Sequence, residues 1–337
     1  MKSLRKSQMK YQTVDEIFRD TQGLLITNAD GKLGKDTLPS PILFELTDPL
    51  ARFSCLPEMR NFVAKAAAES LYLLSGMNGS DFIWEFRGWE DPRDKKRCDN
   101  FAFGPPLRFL DQKDVLGTEI LDYNSSNRIR TSSNTGCVDQ LGQALVRLEG
   151  EEKEAIIQFA SFKSLLSVHS AWFYIGEEKK LEMLISMGRT NNASMWYKMI
   201  SPFTFLHQII SDLTEIPLGC SKFMIGELYT SILVHPQYLK SLNIPVVNMH
   251  DFKYPNSKLT LRDIDTLVSI MVEFVSRLDE KSLSRANPFD GDERVQLWSD
   301  YAEIFRAWKA EQLGYSVEME QNFFHPQLRF IYKGESL

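Results

Sequence analysis

A carboxylate sits in this sequence where a helix would otherwise carry an unbroken apolar stripe. Between Pro57 and Leu74, Phe62, Ala66, Glu69 and Leu73 fall at i, i+4, i+7 and i+11, and Gly76 follows as a C-cap. A buried carboxyl without a counter-charge has a raised pKa, which suits it to move protons; a glutamate at the flank of the stripe simply reaches water. Both readings of Glu69 stand at this level. Other reactive side chains are isolated. Cys55, Cys98, Cys137 and Cys220 are widely scattered, with no CxxC pair and no histidine at ligand spacing, so neither a metal site nor a disulfide framework is expected. His207, His235, His250 and His325 show no pairing, and Trp84, Trp89, Trp172 and Trp196 suit core packing as well as stacking on a planar ligand.

The elements that must position these groups alternate in kind. After a polar N-terminal stretch ending near Pro41, Ile42, Phe44 and Leu46 alternate with other side chains in a segment running to Phe53, the pattern of a strand, and Asp48-Pro49 breaks it. Arg87 to Arg97 is charged and carries a proline, as a surface loop does. Val138, Leu141, Leu145 and Leu148 mark a second helix that meets Gly150. Strands follow at Ala155 to Phe159, Val168 to Ile175 and Leu181 to Met187, the last two joined through the charged turn Glu177-Glu178-Lys179-Lys180 as a hairpin. Phe203, Leu206, Ile210 and Leu213 describe a helix, and Phe223 to Leu233 is extended again. Two more helices, through Ile264, Leu267, Met271 and Val275 and through Leu297, Tyr301, Ile304 and Trp308, flank an Asn287-Pro288-Phe289-Asp290-Gly291 linker. Periodicity alone therefore predicts an α+β domain, without internal repeats.

Bulk properties narrow the class. At 337 residues, with 43% hydrophobic and 25% charged content, the chain can bury a large core, and its net charge of -6 is spread out, so no basic face points to nucleic acid. The opening MKSLRKSQMK reads as a short exposed terminus. No apolar run reaches the ~20 residues that span a bilayer, and no signal-peptide core is present, so a cytoplasmic protein without a membrane partner is expected.

Several blocks, in this order, are similar to thymidylate synthases and the related nucleotide hydroxymethylases. Glu45-Leu46-Thr47-Asp48-Pro49-Leu50-Ala51-Arg52 precedes Ala68-Glu69-Ser70-Leu71-Tyr72-Leu73-Leu74-Ser75-Gly76, which resembles that family's "AELLWYLSG" helix. Phe101-Ala102-Phe103-Gly104-Pro105 resembles its "GAYGP" turn, and Asp139-Gln140-Leu141 opens the next helix. Lys180-Leu181 leads to Arg189-Thr190-Asn191-Asn192, similar to "KL...RSND", and Gly226-Glu227-Leu228-Tyr229 resembles "GDAHIY". The similarity runs from about Ile42 to Lys240. It implies a three-layer α+β fold with a large mixed sheet flanked by helices, paired through the sheet face as a homodimer. On this basis residues 1–260 form a thymidylate synthase-like domain, and residues 261–337 a C-terminal helical extension packed on it.

The same resemblance shows what is missing. In the family a cysteine thiolate adds to C6 of a pyrimidine nucleoside monophosphate, and C5 then attacks a one-carbon unit carried by methylenetetrahydrofolate. Counting back from Lys180-Leu181, the family's Pro-Cys-His falls on Ser167-Val168-His169, and Val168 has no nucleophilic atom. Lys153-Glu154 stand for two phosphate-binding arginines, Met199 or Ile200 for the asparagine that reads the pyrimidine, Tyr229-Thr230-Ser231 for the ribose-binding His-x-Tyr, and Phe103 for a tyrosine. Arg189 and Thr190 match a phosphate-gripping pair, although an arginine beside a turn is equally well a surface residue. Glu69 matches the catalytic glutamate and His169 a pocket histidine, while Asn192 replaces an aspartate used on the folate ring.

The implied function is a thymidylate synthase-like protein with a rebuilt site. As an enzyme it would be a one-carbon transferase on a heteroaromatic or nucleotide-like substrate, with Glu69, His169 and Asn192 in catalysis and Arg189, Thr190 and Tyr229 on an anionic, nucleotide-like ligand. Folate enters through the resemblance alone. The alternative is a non-catalytic homodimer that uses the fold for binding or interaction.

Overall fold

The computed structural model describes residues 9–28, 37–38, 41–77, 82–83, 86, 107–108, 110–111, 137–159, 168–229, 249, 252–255, 258–280, 283, 286–315 and 323–333. The segments Arg87 to Arg97 and Phe101 to Pro105, together with Trp84, Trp89, Cys98, Ser167, Thr230, Ser231, His235 and His250, lie outside these residues.

The N-terminal stretch, read from sequence as polar and irregular, begins with strand β1 (Met9–Tyr11) and helix α1 (Val14–Asn28). A capping exchange starts α1: Glu16 N donates to Thr13 Oγ1 at 3.3 Å, and Glu16 Oε2 accepts from the backbone of Gln12 and Thr13. The helix was hidden because its inward face mixes Ile17 and Leu25 with the buried polar side chains Asp15, Thr21 and Gln22. Next come β2 (Thr37–Leu38), β3 (Ile42–Leu46), a 3-10 turn over Pro57–Phe62 and helix α2 (Val63–Ser75). Gly76 ends α2 in the left-handed region at φ 66, which explains a glycine there.

After the small β4 (Leu110–Asp111) and β5 (Cys137–Val138) pair comes α3 (Gln140–Glu149), capped by Asp139, whose carboxylate accepts from Gly142 N at 3.2 Å. Strands β6 (Glu154–Gln158), β7 (Val168–Ile175) and β8 (Leu181–Asn191) form an antiparallel run, with the β7–β8 hairpin at the charged turn as the alternation predicts. From β8 the chain enters α4 (Asn192–Met195), a π turn over Trp196–Ile200 and α5 (Ser201–Thr214), then returns as β9 (Leu218–Tyr229), parallel to β8. Helices α6 (Leu261–Ser276), α7 (Gln296–Gln312) and α8 (Pro326–Lys333) complete the described fold.

The main sheet is mixed, in the order β1-β3-β9-β8-β7-β6, with β2 also paired to β9. One face is buried: Ala155 and Ile157, Ala171 and Phe173, Met183 and Ile185, and Phe223 and Ile225 all point into the core. The C-terminal helices share that core, contributing Ile264, Met271, Tyr301, Phe305 and Leu328. Phe205 of α5 packs on Tyr301 with ring centroids 4.6 Å apart and meets Trp298 edge-on at 6.0 Å. Truncating so buried a ring to alanine costs about 3–5 kcal/mol.

The irregular segment after β3 is held by side chains from distant elements. His325 Nε2 faces the Leu50 carbonyl at 3.0 Å and so carries a proton, and Gln327 Oε1 accepts from Phe53 N at 3.1 Å. From α1, the Asp15 carboxylate accepts from Cys55 N at 2.8 Å and from the Ser54 hydroxyl. A backbone stretch without a ladder thereby has its polar groups satisfied.

Candidate functional site

Val168 begins β7 fully buried among core side chains. Beyond it the register slips: Val168 pairs with Met187 but Ser170 with Ser186, so His169 is the extra residue of a β-bulge. The bulge sets burial back in phase, with Val168, Ala171 and Phe173 inward and His169 exposed. The position expected to hold a nucleophile thus packs as core, and its neighbouring histidine faces solvent.

At the far end of β8 and β9, Arg189 has a 55% exposed side chain. Its Nε lies 3.1 Å from Oε1 of Glu227, the position paired with it on the parallel strand, and its guanidinium sits 4.6 Å over the ring of Tyr229, two residues further along β9. The charge expected to grip an anion already has a carboxylate and a ring as partners. Thr190, its neighbour, is buried.

Asn192 is only 1% exposed. Its Nδ2 donates to Gln22 Oε1 at 2.8 Å, and Thr21 Oγ1 lies 2.7 Å from its Oδ1. Both ends of the amide are therefore spent on α1. Glu69, at 4% exposure, is buried on α2, which favours the buried reading of that carboxylate over the helix-flank one. Trp196, Met199 and Ile200 are also core residues, and Trp196 meets the rings of Phe62 and Tyr197 edge-on. None of the three described clefts is lined by Glu69, His169, Arg189, Thr190, Asn192 or Tyr229.

The largest described cleft, about 1040 Å³, lies at the opposite end of the parallel pair. It is walled by Thr47 to Ala51 after β3, Lys180 before β8, the last turn of α5, Ile216 to Gly219 entering β9, and Phe252 to Tyr254. Lys180 and Arg189 are about 30 Å apart along β8 by strand rise. On the cleft floor, burial pushes the Asp212 carboxyl up to about 7, tempered by the field of Arg52 and a hydrogen bond with Gln208. Arg52 itself is fully buried and donates to Gln208 Oε1, with its guanidinium over the Phe205 ring. Arg52 closes the Glu45-to-Arg52 block, but its partner Gln208 is 156 positions away and neither Gln208 nor Asp212 lies in a motif, so the cluster was not legible in the sequence.

His207 is a satisfied core histidine. Its Nε2 lies 2.8 Å from the Leu181 carbonyl and must donate, so Nδ1, 2.9 Å from Ser221 Oγ, accepts. Burial, with Arg52 adding to it, lowers its pKa to about 3 despite the Leu181 bond.

The second face of the sheet remains uncovered among the described residues. Ile156, Trp172, Leu184 and Lys222 align across β6, β7, β8 and β9, and Ser186, Met224 and Leu43 form the next row. Ile156 is 56% exposed and Trp172 37%, with Met224 and Leu43 similarly open. Beside them Lys222 Nζ contacts Glu182 Oε2 at 2.5 Å and Tyr174 Oη at 2.9 Å, while Tyr174 donates to Glu182 at 2.9 Å. Burial would raise the Glu182 pKa, but the Lys222 and Tyr174 bonds outweigh it and hold the carboxyl below its ordinary value.

The fold and these sites define a mixed α+β protein with one helix-covered sheet face, a second face that is open among the described residues and carries an apolar patch, and an end-of-sheet cleft. No protein-family profile matches the chain, and no curated protein matches it in sequence. Among the described residues no His, Cys, Asp and Glu group has the makings of a metal site, and no helix is long and apolar enough to cross a membrane.

Proposed function

We propose that this is a thymidylate synthase-like protein whose pyrimidine and folate site is closed, and which acts in the cytoplasm as a homodimeric binding or interaction protein rather than a thiolate-dependent synthase. The observation that carries the reading is Asn192. The side chain that the resemblance assigns to a folate ring is buried and bonded to Gln22 and Thr21 of α1. The buried Val168 and the Glu227-paired Arg189 support the same conclusion, since both nucleophile and free anion anchor are lacking there. The mixed sheet, the β7–β8 hairpin and the helical crossover from β8 to a parallel β9 agree with such a fold.

The dimer rests on the open face. A row of Ile156, Trp172 and Leu184 beside Met224 and Leu43 is an apolar surface that a monomer would leave in water, and a second copy offers a matching one. A second reading, a one-carbon transferase on a heteroaromatic or nucleotide-like substrate, is favoured by one observation, the buried carboxylate Glu69. Sedimentation equilibrium combined with a thermal-shift panel of pyrimidine nucleotides and folates separates the two. A dimer whose melting is unmoved by the panel fits the binding or interaction protein; a shift with dUMP or a folate fits the transferase, because a ligand of the folded state raises its apparent stability.

A further inference from the structure

The cleft at the start of β8 and β9 has an electrostatic arrangement that the described residues leave unbalanced. Asp212 lies in the last turn of α5, a 14-residue helix that has no basic side chain there. Helix C-termini carry partial negative charge and favour cations, so a half-buried carboxylate at this point is doubly disfavoured. Arg52 offsets part of the cost from behind, through Gln208, but it does not line the cleft. On the open side, Asp48 and Glu215 add carboxylates to the lining, against the ammonium groups of Lys180 and Lys253. Lys180 is already paired with Glu178 at 2.6 Å, and Lys253 is exposed. The lining also includes Phe252 and Tyr254, which meet edge-on at 5.0 Å and pack on Phe324 and His325, so the cleft is bordered by aromatic rings of the kind that attract cations.

We infer that this cleft is a binding site for an organic cation, an amidinium or primary ammonium carried on a flat apolar body. The charged group sits on Asp212 below the end of α5, and the body lies along Phe252, Tyr254 and Pro217. A volume of about 1040 Å³ is ample for a small molecule of this kind. The site is distinct from the one that the family resemblance marks, about 30 Å away along β8, so it stands or falls independently of the closed pyrimidine site.

Three probes of nearly one shape test it on the unaltered chain: benzamidinium, neutral benzamide and anionic benzoate, followed by calorimetry and melting. The inference predicts that benzamidinium binds at least about ten-fold more tightly than benzamide and that benzoate does not bind. Asp212→Asn, which keeps the hydrogen bond with Gln208, should abolish the preference for the cation. If that variant does not fold, Phe252→Leu should weaken benzamidinium about five-fold by removing a ring face. Equal binding of benzamide, preferential binding of benzoate, a preference that survives Asp212→Asn, or no binding of benzamidinium up to about 10 mM would each overturn the inference.

Discussion

Asn192 Nδ2 donates to Gln22 Oε1 at 2.8 Å across 170 positions of sequence, with both side chains sealed from solvent. The contact fastens α1 to the point where β8 gives way to α4. Placing an aspartate here, as in the thymidylate synthases that the sequence resembles, puts a carboxylate in a buried site whose neighbour Gln22 presents an acceptor. Asn192→Asp should destabilise the fold by about 3 kcal/mol, read as a lower urea midpoint, without creating folate affinity. An Asn192→Asp protein as stable as the parent would show that α1 is not held in this way.

Val168 invites the complementary repair. Because the side chain points into the core, Val168→Cys should fold with a loss of less than about 1.5 kcal/mol. Its thiol should react with Ellman's reagent only after unfolding. Rapid labelling of one additional thiol in the native protein would mean that position 168 opens to a cleft.

His207 sets a pH dependence of defined sign. Its folded pKa of about 3 lies below the ordinary 6.5. Its contribution to stability is therefore fully present above about 6.5 and is lost as pH falls toward 3. Asp212 and Asp300, both raised to about 7 chiefly by burial, run the other way: their contributions are present below the ordinary 3.8 and are lost as pH rises through 7. Comparing His207→Gln with the parent isolates the histidine. As pH falls from 6.5 to 3 the variant should gain stability relative to the parent, and parallel profiles would contradict the assignment.

Trp172 lies in the centre of the open sheet face, paired with Ile156 on one side and Leu184 on the other. On the pairing proposed through this face, the parent sediments as a dimer and Trp172→Glu as a folded monomer, because the charge is desolvated only in the paired state. Sedimentation velocity reads the mass, and far-ultraviolet circular dichroism checks that the sheet is intact. A Trp172→Glu protein that still sediments as a dimer places the interface elsewhere.

How much of this was legible beforehand depends on the range of the interactions. The β7–β8 hairpin follows from alternation on either side of a charged turn, and α2 from its stripe and Gly76, both local signals. Helix α1 escaped because Asp15, Thr21 and Gln22 occupy its buried face, although Thr13 and Glu16 carry a capping signature that marks its start. That Val168 carries no nucleophilic atom is plain from its residue type, and the resemblance alone singled out the position. What fills the surroundings was not: the partner of Asn192 is on a helix at the other end of the chain, and Glu227 reaches Arg189 only because β8 and β9 run parallel in that register. The bulge that turns His169 outward is likewise a property of strand pairing.

Titration calorimetry of the native protein with dUMP, alone and with methylenetetrahydrofolate, tests the central claim most directly. With Asn192 committed to α1, Arg189 to Glu227 and Val168 to the core, no saturable heat is expected, so that any affinity is weaker than about 1 mM. Saturable binding of dUMP in the micromolar range, tightened by the folate, would contradict it.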